Sequence, residues 1–105
     1  MFVSNGAGDD VAELSASTGT LVRIVDGAKY GFADPSGVVF DGQDAFVTNP
    51  PNDSATELDG TSGDLAGILS GRQYEFDEPT AIAIGGSSVF VGNAAANSLT
   101  AVRVG

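Results

Sequence analysis

The sequence predicts an all-β fold built from four-stranded antiparallel β-propeller blades. It holds about 2.4 repeats of 44 residues, an incomplete ring per chain. Three observations predict it. First, Phe2, Val3 and Asn5 return as Phe46, Val47 and Asn49, and again as Phe90, Val91 and Asn93. Every offset is 44, and Gly19, Leu21, Ile24, Gly27, Tyr30, Phe32 and Pro35 recur at the same step as Gly63, Leu65, Ile68, Gly71, Tyr74, Phe76 and Pro79. Second, the apolar runs are short and are punctuated by Gly, Asp, Asn and Pro, as many brief strands require. Third, the last copy of the one ambiguous segment alternates and is rich in β-branched residues, which marks a strand.

The repeat divides the chain at 1–34, 35–78 and 79–105. The first piece enters partway through a unit and supplies strands B, C and D. Phe2-Val3 is followed by a turn-forming stretch from Ser4 to Asp10. Residues 11–15 could form a helix capped by Asp10, but their third copy, at 98–104, reads as a strand. Equivalent segments should share one structure, so 11–15 is expected to be strand C.

The central piece is a complete unit. Strand A is 37–40, closed by Asp41-Gly42, and strand B is 45–48. Pro50 and Pro51 bar a central strand, so 49–53 is a loop. Strand C is 55–58 and strand D is 65–69; a link from Ser70 to Glu78 carries Tyr74 and Phe76. The last piece supplies strand A (81–84), a Gly85-Gly86 turn, strand B (89–91) and strand C (99–104). Ten strands are expected in all. When residues 1–61 are laid on 45–105, 19 of 61 positions are identical, which reads as natural divergence more than consensus design.

Composition narrows the function classes. The net charge of −10 repels nucleic-acid phosphates and anionic lipid, so neither is expected as a partner. There is no Cys, hence no disulfide and no thiolate site, and no His, hence no Ser-His-Asp triad within the chain. No apolar run approaches the roughly 18 residues of a membrane span, and no membrane insertion is expected. The N-terminus shows no charged leader before an apolar stretch, so no signal peptide is expected in this chain; a secreted parent fits equally. The compartment is open.

Three constellations have chemical potential. Asn5, Asn49 and Asn93 each end strand B: their amides would either line one rim for a ligand or satisfy the backbone of the following turn. Tyr30/Phe32 and Tyr74/Phe76 would either stack a ligand or plug the seam between adjacent blades, and their recurrence favours seam packing. The acidic loops are the third. Asp9, Asp10 and Asp53 lie in B–C loops; Asp34, Glu75, Asp77 and Glu78 lie in D–A links. In propellers those loops share a face, so these residues, Asp34 and Glu78 above all, are candidates for contact with a polar ligand. The alternative is solvated charge without a common centre. No cofactor is expected; Ca²⁺ is the one ion such a rim would suit, though no Ca²⁺ loop of EF-hand spacing is present. Gly6-Ala7-Gly8 lacks the third Gly of a dinucleotide fingerprint, and Asn52-Asp53-Ser54 fits only the common glycosylation triplet.

Phe-Val-x-Asn, the Ser-x-Thr-Glu-Leu run at 54–58, Gly-x-Leu at 63–65 and Tyr-x-Phe-x-x-Pro at 74–79 together resemble the NHL/YVTN-type β-propeller repeats of the lactonase-like propeller group. The resemblance extends over essentially the whole chain and implies the fold. It implies two function classes: a non-catalytic binding or self-assembly scaffold, and a fragment of a lactonase-like, metal-assisted hydrolase whose acidic and Asn side chains surround the axis. A ring needs about four to eight blades. Completion is therefore expected from a longer parent chain or from self-association through blade faces, with Tyr30, Phe32, Tyr74 and Phe76 at the seams.

Overall fold

Ten strands follow one another in a computed structural model that describes residues 1–103. They are β1 (Phe2–Asn5), β2 (Asp10–Leu14), β3 (Leu21–Val25), β4 (Val38–Phe40), β5 (Asp44–Asn49), β6 (Ser54–Asp59), β7 (Leu65–Leu69), β8 (Pro79–Gly85), β9 (Ser88–Asn93) and β10 (Ser98–Arg103). Each pairs antiparallel with its sequence neighbour, giving sheets β1-β2-β3, β4-β5-β6-β7 and β8-β9-β10. The chain is all-β, with three antiparallel sheets and no closed barrel among the described residues.

Residues 11–15 fall mostly within β2, as the third copy of the segment required. Expected and observed strand ends differ by a residue or two. The strand expected over 99–104 runs from Ser98 to Arg103, and Val104 lies outside the described residues. Short 3₁₀ turns occupy Ala28–Tyr30, Pro50–Asn52 and Arg72–Tyr74. Pro50 and Pro51 open the second of these turns, where a helical first turn has no intrahelical partner for their missing N–H.

Two apolar cores lie between successive sheets. Val11 and Val25 of the first sheet meet Ala45, Val47 and Leu58 of the second, with Tyr30 beside them. Phe46 and Ala55, on the opposite face of that second sheet, meet Val89 and Val91 of the third, with Phe76. The central sheet is covered on both faces, so Ala45, Phe46, Val47, Thr48 and Asn49 are all buried in unbroken series, as in a strand without a wet side. Fully burying a side chain such as Phe46 or Leu58 contributes about 1.5–3 kcal/mol.

Strands near the inner end of each sheet meet across the seams, β5 with β8 most extensively. β4 touches both β1 and β8. At that crossing a Cβ on Gly37 would lie 2.6 Å from the Thr80 carbonyl oxygen, so only glycine lets the backbones approach this far. Ser36 and Thr48 add polar ties across the same seam: both hydroxyls donate to the Thr80 carbonyl, at 3.2 and 3.1 Å.

Candidate functional site

The link after each sheet is tied to the sheet that follows. Asn49, at the end of β5, is wholly buried. Its Nδ2 donates to Thr56 Oγ1 at 2.9 Å and to Ser54 Oγ at 3.3 Å, while its Oδ1 accepts from the Ala33 N–H at 3.2 Å. Thr56 Oγ1 in turn donates to the Tyr30 carbonyl at 2.7 Å. The next repeat copies this: Asn93 holds Thr100, Ser98 and the Asp77 N–H, and Thr100 donates to the Tyr74 carbonyl at 2.7 Å. These are buried or half-buried bonds, where an unpaired donor or acceptor would be costly. Asn5 stands apart. It is exposed and its Nδ2 donates to Asp10 Oδ1 at 2.6 Å.

The aromatic pairs sit where the links cross between sheets. Tyr30 and Phe32 stack with centroids 5.5 Å apart and border the first core; Tyr74 and Phe76 stack at 5.3 Å and border the second. Tyr30 also donates its hydroxyl to the Gly63 carbonyl at 3.0 Å.

Above these ties the β1–β2 and β5–β6 loops and the two links between sheets form an open cleft of about 760 Å³. Gly6, Asp34, Pro50, Asp53, Asp77 and Glu78 are among its walls. Asp53, in its wall, and Asp9, outside it, brace the links: Asp9 Oδ1 accepts from the Asp34 N–H at 2.7 Å, and Asp53 Oδ1 from the Glu78 N–H at 2.9 Å. Asp9, Asp34, Asp53, Glu75 and Glu78 all have positive φ. The left-handed backbone is milder for Asp than for Glu, whose longer side chain makes no local bond to support it. Glu75 lines a separate cleft with Arg72 and Phe76. Thus Asp34, Asp53, Asp77 and Glu78 share one surface, Asn49 and Asn93 are committed to internal bonds, and Asn5 and Glu75 lie elsewhere. Among the described residues no three His, Cys, Asp or Glu side chains are grouped to hold a metal ion.

Two features escaped sequence reasoning. Ser54/Ser98 and Thr56/Thr100 complete the Asn ties, and their recurrence at the repeat spacing was the available signal. The other is Glu57. Its copy in the first sheet, Glu13, faces Arg23 across the strands and pairs with its Nε at 3.1 Å. Opposite Glu57 stands Gly67, and among the described residues no cation pairs with it. A hydrogen bond with Asp44, then burial, then the charges of Asp44 and Asp41 push the Glu57 carboxyl up to about 7. Asp59 moves the other way: the N–H groups of Ser62 and Thr61 hold its carboxyl below the ordinary value.

No family model and no curated protein matches the sequence. Solved structures do. The chain is similar to the computationally designed Ika4 protein, with a TM-score of 0.67 at 14% identity, covering 99% of this chain and 64% of that one. It is also similar to Kuenenia stuttgartiensis hydrazine synthase, with a TM-score of 0.63 at 20% identity, covering 98% of this chain and 32% of that one. The chain spans less than two thirds of the first and about a third of the second. At such identities the likeness is one of fold alone.

Proposed function

We propose that the chain is a β-propeller repeat module of the NHL/YVTN kind, acting as a non-catalytic binding or self-assembly scaffold. Each sheet is then one blade, and the ring is completed by a further copy or by a longer parent chain. One observation carries this reading: the surfaces at the two ends are the same surfaces that already meet inside the molecule. Val47 is fully buried beneath the first sheet, whereas Val3, one repeat earlier, is 40% exposed. Leu65 packs against the first core, whereas Leu21 is 58% exposed. At the other end Ala55 is buried and its copy Leu99 is 66% exposed. An open third sheet therefore offers what an open first sheet covers, a head-to-tail match that closes into a ring when the rotation allows.

The sheet count favours a copy number of two. One chain has three sheets, two chains have six, and three have nine. With each sheet keeping its own place in the ring, six falls within the usual four to eight blades and nine does not; counted by the 44-residue repeat, three copies would also fit, and native mass separates the two. Native mass at several concentrations tests the reading, with a dimer expected. The lactonase-like alternative calls for carboxylates converging on one metal; Asp9 and Asp53 brace the links instead, and among the described residues no three carboxylates are grouped.

A further inference from the structure

The two links between sheets are copies of each other, and they differ where the second one borders a cleft. That cleft, of about 620 Å³, lies beside the 3₁₀ turn at Pro50–Asn52 and has Asn52, Asp53, Ser70, Arg72, Glu75 and Phe76 in its walls. One repeat earlier the same positions hold Gly8, Asp9, Asp26, Ala28, Gly31 and Phe32. What the two copies share builds the fold. Asp9 and Asp53 each accept the N–H of a link, and Phe32 and Phe76 each stack on the tyrosine two residues before. The first link folds with Gly, Ala and Gly where the second has Asn52, Arg72 and Glu75. Three long polar side chains that the architecture does not need therefore converge on one space.

Glu75 is held there against its backbone preference. It ends the second link's 3₁₀ turn with φ at 52°, and Gly31 ends the first link's turn with φ at 66°. Glycine takes that left-handed shape freely, whereas a glutamate is strained in it. Such strain beside a cleft points to a use for the side chain. Arg72 opens the same turn, and both it and Glu75 are exposed. Neither forms an ion pair among the described residues. Asp53 commits only Oδ1 to the Glu78 N–H, which leaves its other oxygen to accept. Asn52 is steadied by a bond from its Nδ2 to the Gly31 carbonyl at 3.4 Å.

We propose that this cleft binds a basic α-amino acid, a ligand with one carboxylate and two ammonium groups. The walls carry two carboxylates and one guanidinium, a net charge of −1, and such a ligand carries +1. Arg72 takes the carboxylate through paired N–H···O bonds, a geometry that a guanidinium favours. Glu75 and the second oxygen of Asp53 take the ammonium groups, with Ser70 and Asn52 as neutral partners. The inference rests on the reading of the chain as a binding scaffold and is independent of how the ring is completed.

The probe is L-lysine, titrated calorimetrically into the full 105-residue protein at matched ionic strength, with native mass measured on the same samples. Saturable binding is expected. Cadaverine, which is lysine without its carboxylate, should bind about tenfold more weakly, and L-glutamate, of opposite net charge, more weakly still. Arg72→Ala and Glu75→Gly restore the residues of the first link, so both variants should fold, and each should weaken lysine binding about tenfold. Glu75→Gly should also raise the melting midpoint, because glycine relieves the left-handed turn; a purely structural glutamate would lower it. No saturation up to tens of millimolar lysine, equal affinity for cadaverine or L-glutamate, or unchanged affinity in both variants overturns the site. A monomer that binds lysine supports the site while ending the dimer; a dimer that binds no lysine ends the site and leaves the dimer standing.

Discussion

Thr56 Oγ1 donates to the Tyr30 carbonyl across the seam between the first and second sheets, at 2.7 Å and fully shielded from water. Through that bond the link from one sheet is fastened to the next. Thr56→Val keeps the shape but strands the Tyr30 carbonyl and an Asn49 amide hydrogen. The expected loss is about 1–3 kcal/mol. For a domain of this size each kcal/mol lowers the midpoint by roughly 4–8 °C in a thermal melt. Thr100→Val, at the less buried copy, should lose less. Equal melts for wild type and Thr56→Val would show that the tie is not structural.

Glu57 gives the fold a pH dependence of known sign. Its folded value, about 7, lies above the ordinary carboxylate value, so the folded state binds the proton more tightly than the unfolded state does. The stabilising contribution is complete below the unfolded value of 4.5 and is lost as pH rises through about 7. Glu57→Gln should flatten that part of the stability curve. Because the group is partly solvated, the gain at pH 8 is expected to be about 1 kcal/mol. Urea midpoints at pH 5 and 8 measure it; parallel shifts in both proteins would contradict the assignment.

Glycine matters at the crossing of β4 and β8 and not on β7. Gly37→Ala would force a Cβ against the Thr80 carbonyl oxygen and should destabilise by about 1–3 kcal/mol. Nothing lies within 4 Å of a Cβ built on Gly67, so Gly67→Ala should be neutral or gain up to about 1 kcal/mol. Chemical denaturation of the two variants compares them directly.

The acidic cleft makes a metal prediction. Asp53 accepts the Glu78 N–H and no three carboxylates are grouped among the described residues, so millimolar Ca²⁺ should leave the melting midpoint within about 1 °C. A saturable upward shift would favour the hydrolase reading.

Much of this architecture was legible because the repeat ties weak local signals together. Residues 11–15 taken alone suit a helix, and only the alternation in their third copy made them a strand. The Asn set was legible as a set but not in its roles. Asn49 and Asn93 accept the N–H of a preceding link, whereas Asn5 turns to Asp10, a difference that lies in neighbours no single repeat reveals. The Glu57–Asp44 contact depends on strand register, with Asp44 opposite Asp59 and Glu57 opposite Phe46. Spacing along the chain does not announce such cross-strand neighbours. The 3₁₀ turns that place Tyr30 and Tyr74 are likewise set by the bonds their carbonyls accept from Thr56 and Thr100, strands away in sequence.

Native mass measured across a concentration series tests the central proposal most directly, since it reads whether the open faces of the first and third sheets find each other. Two copies give about 21 kDa, twice the 10.5 kDa of one chain. The dimer should dissociate when Val3→Lys or Leu99→Lys places a charge on an end face. A folded 10.5 kDa monomer at every concentration, with the same melt as both variants, would contradict it.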